Sequence, residues 1–208
     1  RALLRFCDFV YPALDHVPAE AAKYHWKAGQ AVPMVVRGPT GAGTRSGPFH
    51  SISPESLLAH HPGIKVVAPS NPYDAKGLLK SAIRDNDPII FMESEQMYGD
   101  KGEIPENEYT LPIGKAEIVK PGNQVTIVSF GKIIKEAIKA SEKLENDGIS
   151  CEIIDLRTIR PMDHKTIMES VKKTNRLVIL EEAWPFGNVS TEICYQVQNQ
   201  IFDYLDAP

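Results

Sequence analysis

Cysteine is scarce in this 208-residue sequence. Cys7, Cys151 and Cys194 stand far apart, with no C-x-x-C pair. That excludes a disulfide scaffold and a zinc ribbon and leaves buried or partly buried free thiols in a reducing compartment. Positive charge is not in excess either: 23 Lys and Arg face 27 Asp and Glu, a net charge of −4. A protein that holds nucleic acid by phosphate attraction is normally basic, so that class is set aside. No apolar run approaches the ~18–20 residues of a membrane span, and the opening residues lack a signal-peptide pattern. No repeat of solenoid period and no low-complexity tract is present. What remains is ordinary: 42% apolar and 24% charged residues, which excludes a disordered polymer, a collagen and a coiled coil. Proline is the one surplus, 16 residues against roughly 10 at ~5% usage. The chain is therefore cut into many short elements, within one large domain or two small ones.

Those elements alternate. Residues 11–28 are alanine-rich, with Leu14, Val17, Ala21, Ala22 and Tyr24 apolar, and read as a helix with Pro18 as its blemish. Residues 32–36 read as a buried strand, and residues 38–50, with four glycines and two prolines, as a long loop. Ser53-Pro54-Glu55 is a helix start, with Ser53 as cap. A strand at 65–68 follows. Asn71-Pro72 then opens a third helix, with Asp74 in its first turn and Ala75, Leu78, Leu79, Ala82 and Ile83 on one face. Residues 89–93 are a third strand, and the polar, turn-rich stretch 98–110 reads as a linker. Beyond it come a strand at 124–130, a helix at 132–146 closed by Gly148, and a strand at 151–156. A helix from Met162-Asp163, a strand at 177–180 and a helix near 190–202 complete the chain. Such alternation predicts an α/β protein with a parallel, doubly wound sheet.

Several residues could carry chemistry. Gly38 and Gly43 have the outer spacing of a Walker A loop, but Thr44-Arg45 stands where Lys-Ser/Thr is required, and no helix opens directly after the glycines. The loop is either a structural crossing or a ligand loop at a strand end. His50 closes it, as a proton donor near neutral pH or as a surface histidine packed on the loop. His60 and His61 are sequence neighbours, so they do not form a two-ligand helix face. Glu181-Glu182 fit a solvated strand end better than an acid pair. Arg157 and Arg160 would pair with an anionic partner or form surface ion pairs.

The motifs carry more together than singly. They are Arg37-Gly38-Pro39, with the loop ending Phe49-His50-Ser51; His61-Pro62-Gly63-Ile64-Lys65-Val66-Val67; and the run from Asp74 to Asp85. In the second half they are Ile154-Asp155-Leu156-Arg157-Thr158-Ile159-Arg160-Pro161 and Lys173-Thr174-Asn175-Arg176-Leu177-Val178. In this order they resemble the β subunit of the thiamine diphosphate-dependent 2-oxoacid dehydrogenases, a transketolase-like family. The stretch from Thr174 to Pro185 is more similar to the pyruvate-specific members than to the branched-chain ones.

The resemblance implies a transketolase-like pyrimidine-binding domain over residues 1–97, a linker and domain start over 98–123, and a transketolase C-terminal-like α/β domain over 124–208. It implies thiamine-dependent oxidative decarboxylation of pyruvate, with acetyl transfer to a lipoyl group. Partners would be an α subunit, in an α2β2 heterotetramer, and the lipoyl-bearing acyltransferase, with no nucleic acid and no membrane. The compartment would be the cytoplasm in a bacterium or the mitochondrial matrix in a eukaryote. The α subunit would hold the diphosphate and magnesium, consistent with the lack of a phosphate motif here. By position, His50 matches the active-site histidine, and Phe9 the aromatic that stacks on the aminopyrimidine. Met34, Ala82, Ile83, Asp85 and Asp87 match positions whose carbonyls bind a structural potassium ion. The family's pyrimidine-activating glutamate has no counterpart before Phe9, and its members continue beyond Pro208. Both ends therefore read as cut, and this stretch alone is expected to be inactive. The alternatives are a branched-chain enzyme and a non-catalytic assembly module.

Overall fold

The β-branched runs form two sheets in the computed structural model, which describes residues 2–206. The first half contains β1 (Ala2–Leu3), α1 (Ala22–Ala28), β2 (Val35–Pro39), α2 (Glu55–Ala59), β3 (Lys65–Val67), α3 (Pro72–Arg84) and β4 (Ile89–Glu93). The second contains β5 (Glu117–Lys120), β6 (Val125–Ser129), α4 (Ile134–Asn146), β7 (Cys151–Asp155), β8 (Thr158–Arg160), α5 (His164–Thr174), β9 (Leu177–Ile179) and α6 (Val189–Ile201). The strand orders are β1-β2-β4-β3-β8 and β5-β7-β6-β9.

Period-two alternation sorts the apolar residues. Val36, Val66, Ile90 and Met92 of the first sheet join Val128 and Ile154 of the second, with Leu58, Ile167, Val171 and Ile193, in one shared core. The opposite face of the first sheet packs Val35, Val67, Ile89 and Phe91 under Leu78 and Ala82 of α3. The opposite face of the second packs Ile127, Cys151 and Ile153 under Ile134 and Ala137 of α4. Local signals end the helices as expected. Asn71 accepts a hydrogen bond from the Asp74 N–H, Asp163 accepts one from that of Thr166, and Gly148, at φ 75°, follows α4.

Five expectations need correction. The sheets are not purely parallel, because β5 runs antiparallel to β7 and β8 antiparallel to β3. Residues 11–28 do not form one α-helix. Pro12 and Pro18 remove N–H donors, so Cys7–Ala13 winds as a 3-10 helix and Asp15–Ala21 as a π-helix before α1 begins. The strand placed at 32–36 lies at Val35–Pro39 and continues through Gly38. A Cβ at Gly38 would come within 3.2 Å of the Cys7 Cα, so glycine admits the N-terminal segment. Ser53 does not cap α2; Pro54 occupies that position with no side-chain cap. Cys194 is exposed, whereas Cys7 and Cys151 are buried.

The β3–β8 pairing joins the halves, and Arg157, just before β8, bolts them. At φ 57° its main chain turns so that Ala68 donates to the Arg157 carbonyl at 2.9 Å. Its guanidinium donates from Nε to Asp74 Oδ2 at 2.9 Å, lies 2.7 Å from Oδ1 through Nη2, and reaches Glu117 at 2.9 Å. This corrects the surface-pair reading of Arg157: its side chain is 11% exposed and that of Asp74 0%. Beside them Asp155, fully buried, accepts from the Ser70 hydroxyl and the Arg157 N–H. Burial pushes its carboxyl up to about 7, although both hydrogen bonds pull it back. In the full chain, Arg157→Met strands the buried Asp74 charge and is expected to cost about 3–5 kcal/mol in urea unfolding at pH 7. A loss below about 1 kcal/mol would show that the pair does not hold the seam.

Candidate active site

The C-terminal ends of β2 and β4 open toward the glycine-rich segment, where parallel α/β sheets bind ligands. Two of the residues picked from sequence meet there. Pro48–His50 forms a short 3-10 turn, and its histidine packs against the 3-10 helix at Cys7–Ala13. The His50 ring lies 5.7 Å from that of Phe9, tilted by 42°. Phe9 is half exposed, so an aromatic face remains open for a flat ring.

Two further residues complete the cluster and were not picked from sequence. Phe6 stacks on His50 with centroids 4.2 Å apart and planes within 11°. Asp8 Oδ1 lies 3.1 Å from His50 Nδ1. An ionised carboxylate only accepts, so Nδ1 carries the hydrogen and Nε2 is left to exchange a proton with a ligand. The signal that could have found them is the three-residue spacing of Phe6 and Phe9, which a 3-10 turn places on one side.

A separate polar cluster lies at the same strand ends, on the α3 side of the sheet. Arg37 Nε donates to Glu93 at 2.6 Å, and the Tyr98 hydroxyl donates to the other Glu93 oxygen at 2.9 Å. They line a cavity of about 220 Å³ with Asn71, Phe91 and Leu79, between the ends of β2 and β4 and the start of α3. Glu181 and Glu182 are not a solvated strand end. Glu181 accepts from the Ser190 N–H at 2.9 Å and its hydroxyl at 2.5 Å, and Glu182 pairs with Lys132 at 2.8 Å. Glu55, at the start of α2, is buried, and its Oε2 has no hydrogen-bond partner among the described residues. Burial pushes its carboxyl up to about 8, the charges of Glu181 and Glu182 adding to the effect. Cys7 is an inert thiol: burial, then Glu55 and Asp8, push it up to about 12.

The positions expected to hold potassium lie at the opposite end of α3. Ala82 and Ile83 are in its last turn, where main-chain carbonyls outrun the helix ladder. The Met34 carbonyl accepts from the Ile89 N–H at 2.8 Å. Lys65 holds both Asp85 oxygens at 2.7 Å and Asp87 at 3.0 Å. One ammonium thus engages both carboxylates and offsets one of their two charges, and main-chain carbonyls are the further donors for a hard cation.

The chain matches the model of the transketolase pyrimidine-binding domain over residues 3–101 and that of the transketolase C-terminal domain over 114–208. It belongs to the transketolase-like family. Among its relatives, the pyruvate dehydrogenase E1 component subunit beta of Rickettsia felis is 48% identical over 97% of this chain. The acetoin:2,6-dichlorophenolindophenol oxidoreductase subunit beta of Cupriavidus necator is 46% identical over 99%. The 2-oxoisovalerate dehydrogenase subunit beta of Bacillus subtilis is 40% identical over 100%. The chain spans 62%, 62% and 64% of the length of these relatives, respectively. A solved split-gene transketolase, an inactive beta4 tetramer, superposes with a TM-score of 0.73 at 19% identity, covering 95% of this chain and 62% of that one. It supports the fold.

The Glu55 carboxyl yields a prediction. Between about 4.5, its ordinary value, and about 8, the folded protein keeps a proton that the unfolded chain releases. Its contribution to stability therefore falls as pH rises through that window. Glu55→Gln, a neutral mimic, is expected to melt like the parent at pH 4.5 and progressively above it toward pH 8. Parallel Tm curves for the two proteins would contradict a carboxyl held neutral.

Proposed function

We propose that this chain forms part of the β subunit of the decarboxylating component of a pyruvate dehydrogenase. The observation that carries the reading is the Asp8–His50–Phe9 cluster at the strand ends, in a chain whose relatives include a pyruvate dehydrogenase E1 component subunit beta. Thiamine diphosphate, when bound between this chain and an α subunit, supplies an electron sink for loss of carbon dioxide from the 2-oxoacid. The open face of Phe9 supports the aminopyrimidine. His50, oriented through Nδ1 by Asp8, holds a proton at Nε2 beside the 2-oxoacid or its acyl product and assists transfer to a lipoyl group. Phe6, stacked on the imidazole, covers one of its faces and fixes the ring plane.

The assembly is an α2β2 heterotetramer that delivers the acetyl unit to a lipoyl-bearing acyltransferase. Magnesium belongs with the diphosphate on the α subunit. The carbonyls of Met34, Ala82, Ile83, Asp85 and Asp87 would hold a structural potassium ion, which would steady the end of α3. The site of action is the cytoplasm in a bacterium or the mitochondrial matrix in a eukaryote. Among the described residues no helix is long and apolar enough to cross a membrane.

The relatives named for 2-oxoisovalerate and acetoin favour a second reading, the same chemistry on another substrate. Steady-state kinetics of the full-length, α-paired protein with pyruvate, 3-methyl-2-oxobutanoate and acetoin separates the readings. Pyruvate is expected to have the largest kcat/KM, and a tenfold preference for either rival would replace the assignment. In the same enzyme His50→Ala is expected to lower kcat by about 10²–10⁴-fold with an unchanged melting temperature. Wild-type turnover by that variant would remove His50 from the chemistry. Binding of both partners without turnover by the parent enzyme would make the subunit an assembly module.

A further inference from the structure

We propose that Lys132 and Glu182 are positioning residues that grip the glycine-rich loop and, through it, hold His50 in place. The proposal rests on the reading of His50 as the active-site histidine. Lys132 lies in the 3-10 turn Gly131–Ile133 after β6, and Glu182 follows β9, so both come from the second sheet. The loop they hold follows β2 of the first.

The grip is on the backbone of one residue. Glu182 Oε1 accepts from the Ala42 N–H at 2.8 Å, while the Lys132 ammonium donates to the Ala42 carbonyl. The same ammonium lies 2.8 Å from Glu182 Oε1 and donates to Gln96 Oε1 at 3.0 Å. Two of its three donors are thus used in hydrogen bonds, and the Glu182 carboxylate stands beside it as the ion-pair partner. The Lys132 side chain is 12% exposed, which separates it from the solvated pairs that contribute almost nothing.

The glycines on either side of Ala42 fit the clamp. Gly41 and Gly43 have φ of 87° and 98°, in the left-handed region. A Cβ at Gly41 would lie 2.5 Å from Glu182 Oε2, and one at Gly43 would overlap the Gln96 amide. The motif therefore brings main chain against three side chains and needs no phosphate. The link to His50 is short. The Gly41 N–H donates to the Ile52 carbonyl at 2.7 Å, closing the base of the loop, and the Ser51 hydroxyl donates to the Gly47 carbonyl at 2.8 Å. The clamp thus fixes the departing strand of the loop, and the base pair carries that position to the returning strand, where His50 precedes Ile52 by two residues.

The test uses the full-length chain assembled with its α partner. Hydrogen exchange followed by mass spectrometry over residues 40–52 reads the loop without reference to activity. Glu182→Gln and Lys132→Met are expected to speed exchange there about tenfold, and to lower kcat about tenfold with KM for pyruvate within about twofold. Lys132→Arg is expected to restore part of both. Gln96→Ala, which removes one acceptor and leaves the ion pair, is a milder variant and is expected to move exchange in the same direction. Unchanged exchange in all of these variants overturns the clamp, and faster exchange with unchanged kcat overturns its positioning role. If the parent enzyme turns over none of the three candidate substrates, the functional reading fails, and with it the link to His50. The exchange result still decides whether the loop is clamped.

Discussion

The buried pair between Arg157 and Asp74 is the contact on which the rest of the molecule depends. Two charges withdrawn from water cost several kcal/mol unless their geometry is nearly ideal. Here both Asp74 oxygens face one guanidinium, a third contact goes to Glu117, and Asp74 sits in the first turn of α3, where the helix dipole favours a negative charge. The arginine reaches this place only because its own backbone is left-handed. The same turn starts β8, which leaves the second half of the chain to pair with β3 of the first. One residue therefore sets both the charge pairing and the strand pairing of the seam.

With the seam fixed, the strand ends of the two sheets face each other. That places Glu182 and Lys132 against the glycine-rich loop, 140 and 90 residues from the Ala42 groups they bind. It also leaves Glu55 in a low-dielectric gap near Glu181 and Glu182, where a neutral acid is the cheaper state. The Asp8–His50 pair lies nearby but keeps partial access to water, with side chains 16% and 30% exposed. Similar carboxyl groups thus do different work: one is kept protonated by burial, and one stays an acceptor that orients an imidazole.

Much of the fold was legible along the chain. The helix starts at Asn71 and Asp163, the close of α4 at Gly148 and the β-branched strands all follow from interactions within a few residues. The failures have equally specific causes. The alanine-rich segment 11–28 has a helical pattern, but two prolines forbid a continuous ladder. β5 and β8 are short strands whose pairing comes from partners elsewhere in the chain. Glu181, Glu182 and Arg157 look like ordinary strand-end charges in sequence, because nothing next to them reveals the buried groups that they meet.

The site divides in the same way. Residue type and motif order were enough to single out His50 and Phe9 and to suggest a thiamine-dependent family. The sequence by itself determined the element types, the caps and the side chains available for chemistry, since these depend on local sterics and hydrogen bonds. Only the tertiary structure decided which charges are buried, which way the edge strands run, and that Asp8 and Phe6 meet His50 while Lys132 and Glu182 meet the glycine-rich loop. Burial and long-range register are properties of the packed chain, where a low dielectric and a fixed backbone give each charged group its meaning.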